Sequence, residues 1–231
     1  MDSRRERRVF EVGAVAFDLD GTLLDTVHDL TAAVNLLLGE LGLAPLPVDA
    51  VRTMVGKGVA DLLAKALTRA RGAPPHDGEV ADLLPRYGQG YATILGRQTR
   101  LFPGVMAGLN RMREAGFALA VITNKATRFV RPHLAHAGIA EYFDTVVGGD
   151  DAVAKKPDAA PLLLAATRLG VAPARMLMVG DSINDVAAAR AAGSPVLVVP
   201  YGYNEGSPVQ TLAADGIVDS LDAIADRIRR A

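Results

Sequence analysis

Short apolar runs recur along the chain, and each is followed by a stretch with helical spacing. Their residues do not alternate between apolar and polar, which is typical of strands buried on both faces of a sheet. The predicted strands are residues 12–17, 117–122, 145–147, 176–179 and 196–199. Strands that alternate with helices predict an α/β fold built on a doubly wound parallel sheet. Ligands of such sheets bind at the carboxyl ends of the strands.

One connection is much longer than a crossover between parallel strands requires. About a hundred residues separate Asp20 from the strand that precedes Thr123. Within this connection a third helical stretch, 79–95, contains Pro85, and two earlier stretches carry amphipathic stripes. The stripes are Leu30, Val34, Leu37, Leu38 and Leu41, and then Val59, Leu62, Leu63, Ala66 and Leu67. We therefore predict a Rossmann-like core, 1–25 and 99–231, with an α-helical cap subdomain inserted at 26–98.

The helical stripes of the insert are best explained by packing within the insert itself. A cofactor-binding function is a weaker alternative, because apolar residues at helical spacing are what any packed helix shows. Gly104 and the segment of Asp25 and Thr26 are candidate hinges between the two parts. We expect such a cap to exclude water from the site and then to open.

Composition narrows the classes of partner. The chain has 231 residues, a net charge of −1 and a pI of about 6.4, so no overall positive field points to nucleic acid. Without cysteine there is no disulfide, zinc–thiolate site or thiol nucleophile, which favours a reducing, cytoplasmic setting. No apolar run approaches the roughly 20 residues that a membrane span requires. Acidic residues interrupt the N-terminal arginines, which predicts a solvated tail rather than an organellar tag: Arg4, Arg5, Arg7 and Arg8.

An acidic pair follows the first predicted strand, in the stretch FDLDGTL. Residues two apart on a strand point to the same face, so Asp18 and Asp20 leave the sheet close together. Two neighbouring carboxylates repel each other and favour a bound cation. Mg²⁺ suits such a site because it takes a few protein oxygens together with waters and substrate phosphate. Gly21 permits a close turn, and Thr22 adds a hydroxyl.

Three later strand ends supply complementary groups. Thr123 and Asn124 offer a hydroxyl and an amide to phosphate oxygens. Lys156 offers a positive charge that would neutralise a phosphoryl oxygen and an anionic nucleophile. Asp181 is a candidate metal ligand, and Asp185, four residues later, is a candidate for orienting the waters of that metal.

Each of these motifs also has a purely structural explanation when it is taken alone. Aspartate, serine, threonine and asparagine frequently cap helices, and a lysine before proline is usually exposed. Their common position, each after a strand of one predicted parallel sheet, favours a shared site instead.

The four motifs together resemble those of the haloacid dehalogenase-like hydrolase superfamily. They are FDLDGTL (17–23), ITN (122–124), KKP (155–157) and GDSIND (180–185). The resemblance covers nearly the whole chain and includes an insert where that superfamily carries a helical cap. Within the superfamily the chain is most similar to phosphoglycolate phosphatases. This finer similarity rests on TNKATRFVRPHL, VVGGDDAVAKKPDAAPLLLAA, VGDSINDVAAARAAG, YGYNEG and VGKGVADLL.

The resemblance implies a Mg²⁺-dependent phosphomonoester hydrolase that acts on 2-phosphoglycolate through an aspartyl-phosphate. Asp18 would attack phosphorus, and Asp20 would protonate the leaving alkoxide and later activate water. Mg²⁺ would be held by Asp18, Asp181 and the main-chain carbonyl of Asp20.

The transferring phosphoryl group would be bound by Thr123 and Lys156, with help from backbone N–H groups near Gly21 and Asn124. Because a carboxylate nucleophile is already ionised at neutral pH, no histidine base is required. We expect the four histidines on the surface: His28, His76, His133 and His136.

The cap is expected to select the rest of the substrate. Lys57, between two glycines that join predicted helices, would reach an anionic group such as the carboxylate of glycolate. An exposed loop lysine is an equal alternative. The segment YGYNEGSP (201–208) is rich in turn-forming residues and either borders the site or is only a loop.

Several other functions remain alternatives. A related phosphatase acting on another small ester or on pyrophosphate, or a phosphosugar mutase, would share Asp20 and Lys156. A signalling receiver domain also uses a phosphoacceptor aspartate, but it is about half as long and lacks a helical insert. A phosphate-binding module without turnover would be expected to lose Asp18 or Asp20, and a dehalogenase needs neither Asp20 nor Mg²⁺. The expected partner is a small phosphorylated metabolite, and the chain is either a monomer or a homodimer.

Overall fold

The computed structural model describes residues 8–230. Three of the N-terminal arginines discussed above, Arg4, Arg5 and Arg7, lie outside these residues. Arg8 is exposed and pairs with Asp215 at 3.1 Å. The described part of the chain contains no helix long and apolar enough to cross a membrane.

The fold is a mixed arrangement of short strands and helices. The strands are β1 Phe10–Val12, β2 Ala14–Phe17, β3 Leu24–Asp25, β4 Arg100–Leu101, β5 Ala118–Ile122, β6 Thr145–Val147, β7 Met176–Gly180, β8 Val196–Val198, β9 Gly216–Ile217 and β10 Ile228–Arg230. The helices are α1 Val27–Glu40, α2 Val48–Arg52, α3 Val59–Arg71, α4 Glu79–Ile94, α5 Val105–Glu114, α6 Thr127–His136, α7 Ala160–Leu169 and α8 Ile183–Ala192. Single 3₁₀ turns occur at Ala140–Tyr142, Pro173–Arg175, Asn204–Gly206 and Val209–Thr211, and a longer one at Asp222–Arg227.

Six strands form one sheet in the order β6-β5-β2-β7-β8-β9, and every neighbouring pair is parallel. Alternate residues of β2 enter separate cores. Val15 and Phe17 pack with α5 and α6, whereas Ala14 and Ala16 pack with α7 and α8. Helices therefore cover both faces, and the predicted α/β class with a doubly wound parallel sheet is confirmed.

The first predicted strand, 12–17, is wrong as a single element. Gly13 interrupts it, because its N–H donates to the carbonyl of Arg175 at 2.8 Å instead of to a sheet neighbour. The segment before it, β1, leaves the main sheet and pairs in parallel with β10. The sequence analysis did not predict β9 or β10, which are only two and three residues long.

The proposed cap, 26–98, contains helices α1–α4, whose apolar faces share one buried cluster. Proline at position 85 lies inside α4 without ending it. Strands β3 and β4 pair antiparallel, Leu24 with Leu101 and Asp25 with Arg100, beside the two connections to the sheet. The segment that enters the proposed cap and the segment that leaves it are thus paired with each other.

A buried carboxylate fixes the return connection. Asp29 of α1 is inaccessible to solvent and accepts hydrogen bonds from the N–H groups of Gly96 and Gln98 and from the hydroxyl of Thr99, each at 2.8 Å. The Thr99 hydroxyl in turn lies 2.7 Å from Nε2 of His133 in α6. This chain of contacts connects the proposed cap to the core.

The expectation that all four histidines lie on the surface is wrong for His133, which is fully buried. Burial and the nearby charge of Lys125 lower the pKa of His133 to about 3, so the ring is neutral. Because the Thr99 hydroxyl donates to Asp29, the ring donates from Nε2 to Thr99. The other three histidines are exposed.

Candidate active site

Three strand ends converge in the middle of the sheet. β2 lies between β5 and β7, and the residues that follow these strands are Asp18, Thr123 and Asp181. Parallel strands end at the same edge of a sheet, so the three side chains share one region. The sequence predicted this convergence from the position of each motif after an apolar run.

Lys156 lies at the centre of the site, and all three of its ammonium protons have acceptors. Nζ is 2.8 Å from Asp18 Oδ1, 2.6 Å from Asp185 Oδ1 and 2.7 Å from the carbonyl oxygen of Ile122. Burial alone would lower the pKa of Lys156, but the two carboxylates raise it above the ordinary value. The ammonium group is therefore permanently charged beside Asp18.

Asp181 is held by the segments on either side of it. Its Oδ1 accepts from the Thr22 hydroxyl at 2.8 Å, and its Oδ2 accepts from the N–H groups of Tyr203 at 2.7 Å and Asn204 at 3.4 Å. Gly21 has φ +100°, and a Cβ atom there would lie 2.6 Å from Asp181 Oδ2. Glycine is required here both for the backbone conformation and for the close approach.

Three carboxylates of this site could bind a metal ion. Asp18, Asp181 and Asp185 each place an oxygen within 4.8 Å of the others. Burial raises the pKa of Asp18 and of Asp181, and the neighbouring negative charges raise both further. Against three carboxylates the cluster contains one ammonium group, that of Lys156. A divalent cation with oxygen ligands would neutralise the excess charge, so the donor set fits such an ion.

Asp185 both caps a helix and contacts the central lysine of the site. Its Oδ2 accepts from the N–H of Ser182 at 3.0 Å and from the Ser182 hydroxyl at 2.7 Å, which completes a capping box at the start of α8. Its Oδ1 binds Lys156. A helix cap and the placement of the central lysine thus depend on one carboxylate.

Asp20 faces away from that cluster and pairs with a lysine that the sequence analysis did not single out. Lys125 Nζ lies 3.1 and 3.4 Å from the two oxygens of Asp20 and 4.8 Å from the centre of the Tyr91 ring. Burial would raise the pKa of Asp20, but Lys125 and neighbouring groups outweigh it and hold that pKa below its usual value. The signal was available, because Lys125 directly follows Thr123 and Asn124 at the strand end.

The side chain of Asn124 binds protein groups on both sides of the site. Its amide donates to the carbonyl oxygens of Gly56 at 2.9 Å and Lys156 at 2.8 Å, and its carbonyl accepts from the N–H of Lys156 at 2.9 Å. The Thr123 hydroxyl accepts from the N–H of Lys125 at 3.2 Å. The Asn124 amide therefore connects the proposed cap to the lysine loop, and its side chain is already committed.

Lys57 is turned toward Glu205, with an Nζ–Oε1 distance of 3.1 Å, and its side chain is 47% exposed. It is not among the residues that line the cavity beside Asp18. Its predicted contact with substrate stays a prediction, since this conformation shows the lysine in an ion pair with the loop after β8.

A cavity of about 270 Å³ opens beside Asp18 and Asp20. Thr123, Asn124 and Lys125 form its core side. Most of the opposite wall is apolar or aromatic and comes from the proposed cap: Leu30, Val55, Val59, Leu62, Leu84, Tyr87 and Tyr91. The two aspartates thus face a small, partly open cavity whose walls are polar on the core side and mostly apolar on the cap side.

Comparisons with known proteins agree with this geometry. Residues 12–193 match the family model of the haloacid dehalogenase-like hydrolases. A phosphoglycolate phosphatase of Nitrosospira multiformis is 49% identical over 210 residues, which cover 91% of this chain and 92% of the relative. The phosphoglycolate phosphatase of Escherichia coli is 41% identical, with coverages of 92% and 90%.

Solved structures show the same fold. The crystal structure of a predicted phosphoglycolate phosphatase from Haemophilus somnus superposes with a TM-score of 0.87 at 32% identity, over 93% of this chain and 97% of that one. CbbY from Rhodobacter sphaeroides, solved in complex with phosphate, gives 0.76 at 26% identity, over 92% and 96%. The chain belongs to the haloacid dehalogenase-like hydrolases.

Proposed function

We propose that this protein is a Mg²⁺-dependent phosphomonoesterase that hydrolyses 2-phosphoglycolate to glycolate and phosphate. The observation that carries the proposal is the pair of aspartates after β2, each facing the cavity and each paired with its own lysine. The choice of substrate is supported by the relatives that are named phosphoglycolate phosphatase. The chain matches each of them over about nine-tenths of its length.

Asp18 is the proposed nucleophile. Its carboxylate oxygen forms a bond to phosphorus while the bond from phosphorus to the glycolate oxygen breaks, which leaves an aspartyl-phosphate. Lys156, 2.8 Å away, offsets the repulsion between the carboxylate and the phosphate dianion. Thr123 and the backbone N–H groups near Gly21 and Asn124 are proposed to bind the phosphoryl oxygens.

Asp20 is the proposed proton carrier. The negative charge of an entering phosphate raises the pKa of a nearby carboxylate, so Asp20 takes up a proton and gives it to the departing alkoxide. The carboxylate that remains then removes a proton from water, whose oxygen attacks phosphorus and releases Asp18 and phosphate. Lys125 fixes the orientation of Asp20 during both steps.

Asp18, Asp181 and the main-chain carbonyl of Asp20 are the proposed ligands of Mg²⁺. When bound, the ion would withdraw charge from the phosphoryl oxygens. Asp185 is proposed to orient the waters of the ion while it also caps α8. A small phosphorylated metabolite is the proposed partner, and the cytoplasmic location stays a prediction.

The proposal is tested by phosphate release with Mg²⁺ from 2-phosphoglycolate, sugar phosphates, nucleotides and pyrophosphate. We expect a preference for 2-phosphoglycolate that Asp18→Asn abolishes, whereas Asp77→Asn on the exposed surface retains it. If the enzyme hydrolyses a different compound and Asp18→Asn abolishes that activity, the proposed mechanism stands and 2-phosphoglycolate is refuted as the substrate. Full activity of Asp18→Asn would refute the assignment of Asp18 as the nucleophile.

A further inference from the structure

Two hydroxyl groups in the wall of the cavity have no partner among residues 8–230. Tyr87 and Tyr91 lie one turn apart on α4, with stacked rings whose centres are 5.7 Å apart. They are 4% and 1% exposed, and neither hydroxyl makes a hydrogen bond within the described chain. A buried hydroxyl without a partner costs about 1–3 kcal/mol. Each hydroxyl oxygen exposes less than 1 Å² in this conformation, so a polar ligand would gain these donors through a small shift of the tyrosine side chains.

A positively charged group of an exposed residue, Arg128, borders the same cavity. Lys125 and Arg128 are the basic residues among those that line it, and Lys125 is paired with Asp20. Arg128 forms no ion pair or hydrogen bond with any residue of 8–230, and its guanidinium lies 4.7 Å from the centre of the Phe129 ring. One oxygen of the nearby carboxylate, Oδ1 of Asp150, accepts from the N–H and the hydroxyl of Thr127.

The position of Arg128 depends on a glycine inside a helix. Gly88 is buried in α4, beside Tyr87, and a Cβ atom there would overlap Nη2 of Arg128. Glycine in a helix interior costs about 0.5–1 kcal/mol relative to alanine. The missing side chain leaves a notch in which the guanidinium lies directly against the helix that carries the two tyrosines.

We propose that Arg128, together with Tyr87 and Tyr91, binds the carboxylate of the substrate's leaving group and makes the enzyme selective for phosphate esters of small hydroxy acids. The inference rests on the proposed function and adds the residues that set its specificity. A guanidinium presents parallel N–H donors that match the two oxygens of a carboxylate. Burial raises the pKa of both phenols, so they remain protonated and can donate.

This arrangement separates the two ends of the substrate. Asp18, Lys156 and Thr123 are the groups proposed for the phosphoryl end, whereas Arg128 and the tyrosines line the side of the cavity formed by α4 and α6. The other cap side chains of the cavity are aliphatic, and only the backbone of Gly56 and Gly58 adds polar groups to that wall. A carboxylate placed against the aliphatic part of the cap wall would lose water without gaining a donor.

The test compares kcat/KM for 2-phosphoglycolate and for ethyl phosphate, which has a methyl group in place of the carboxylate. We expect Arg128→Gln to reduce the ratio of the two values about 10- to 100-fold, the range for a charge-assisted hydrogen bond. Tyr87→Phe should reduce the ratio by a smaller factor. Arg131→Gln, which removes an exposed arginine one turn later on α6, is the matched control and should leave it unchanged.

Gly88→Ala provides a second, independent variant. The new methyl group would displace the end of the flexible arginine side chain without removing its charge, and alanine favours the helix. We expect the ratio to fall while the melting temperature stays the same or rises. A purely structural role of this contact would instead lower the melting temperature and leave the ratio alone.

The outcomes separate the inference from the function on which it rests. If the wild-type enzyme prefers 2-phosphoglycolate and Arg128→Gln retains that preference, the carboxylate subsite is refuted and the proposed function stands. If the wild-type enzyme does not hydrolyse 2-phosphoglycolate, both are refuted. A loss of preference in Arg128→Gln and Gly88→Ala, but not in Arg131→Gln, supports the subsite.

Discussion

The hydroxyl of Tyr203 donates a hydrogen bond to Asp25 Oδ1 across 2.8 Å, which joins the loop after β8 to the strand that enters α1. The same hydroxyl accepts from the N–H groups of Thr26 at 2.8 Å and Val27 at 3.1 Å. The backbone N–H of Tyr203 donates to Asp181. One residue thus contacts both the proposed hinge and a proposed metal ligand.

Replacing Tyr203 with phenylalanine removes three hydrogen bonds and leaves two N–H groups at the start of α1 without their acceptor. We expect Tyr203→Phe to lower the free energy of unfolding by about 2 kcal/mol, measured by urea denaturation. Tyr201→Phe is the control, because the Tyr201 hydroxyl makes one hydrogen bond, to the carbonyl of Thr22 at 3.1 Å. Equal losses in the two variants would contradict the importance of the Tyr203 contacts.

Removing the ammonium group of Lys156 leaves Asp18 and Asp185 buried without a counter-charge. We expect Lys156→Met, measured without Mg²⁺, to lower the free energy of unfolding by about 3–5 kcal/mol. Adding Asp185→Asn should restore part of this loss, because one buried charge is removed and asparagine can still cap α8. Additive losses in the double variant would show that the two groups do not interact.

Mg²⁺ should stabilise the protein more at high pH than at low pH. Burial and neighbouring carboxylates raise the pKa of Asp18 to about 8 and that of Asp181 to about 6. In the unfolded chain both titrate near 4, so without metal their contribution to stability is lost as the pH rises from about 4 through 8. The rise in melting temperature on adding MgCl₂ should therefore grow between pH 5 and pH 8. A rise independent of pH, or one unchanged in Asp181→Asn, would contradict metal binding here.

His133 should make the protein sensitive to acid. Its pKa is lowered to about 3, whereas an unfolded histidine titrates near 6.5. The unfolded chain therefore binds an extra proton between these values, and stability is lost as the pH falls below about 6.5. Between pH 7 and pH 5 the loss from this group is about 2 kcal/mol.

We expect His133→Gln to reduce the loss of unfolding free energy over that range, whereas His136→Gln on the exposed face of α6 should not. Glutamine keeps a donor for the Thr99 hydroxyl. Urea titrations at the two pH values measure the difference. Identical pH dependence in His133→Gln and the wild-type protein would show that the buried ring does not resist protonation.

Much of the site could be predicted because its residues directly follow strands. The positions of Asp18, Thr123 and Asp181 require only that parallel strands end at one edge, and apolar runs mark those strands. The break at Gly13 was missed because the run 12–17 is apolar on both sides of it. That β1 lies outside the main sheet follows only from its pairing with β10, which is distant in the sequence.

Contacts between distant segments could not be predicted. Tyr203 and Asp25 are 178 residues apart, and no local pattern relates them. The buried His133 contacts Thr99, which comes from the return connection of the proposed cap, 34 residues earlier in the chain. The contact between Gly88 and Arg128 could not be predicted either. In the sequence, a glycine within a helical stretch indicates only a less stable helix, whereas in the structure it leaves room for the guanidinium of Arg128.

The two-sided contact of Asn124 has a consequence for the order of events in turnover. Its amide holds the Gly56 carbonyl of the proposed cap and both backbone groups of Lys156. Movement of the proposed cap away from the core must break the hydrogen bond between Asn124 and Gly56. The Asn124 amide, which also positions the backbone of Lys156, is then less restrained. Admission of a new substrate and loosening of the lysine loop would then be a single event, which would leave the reacting groups disengaged whenever water has free access to them.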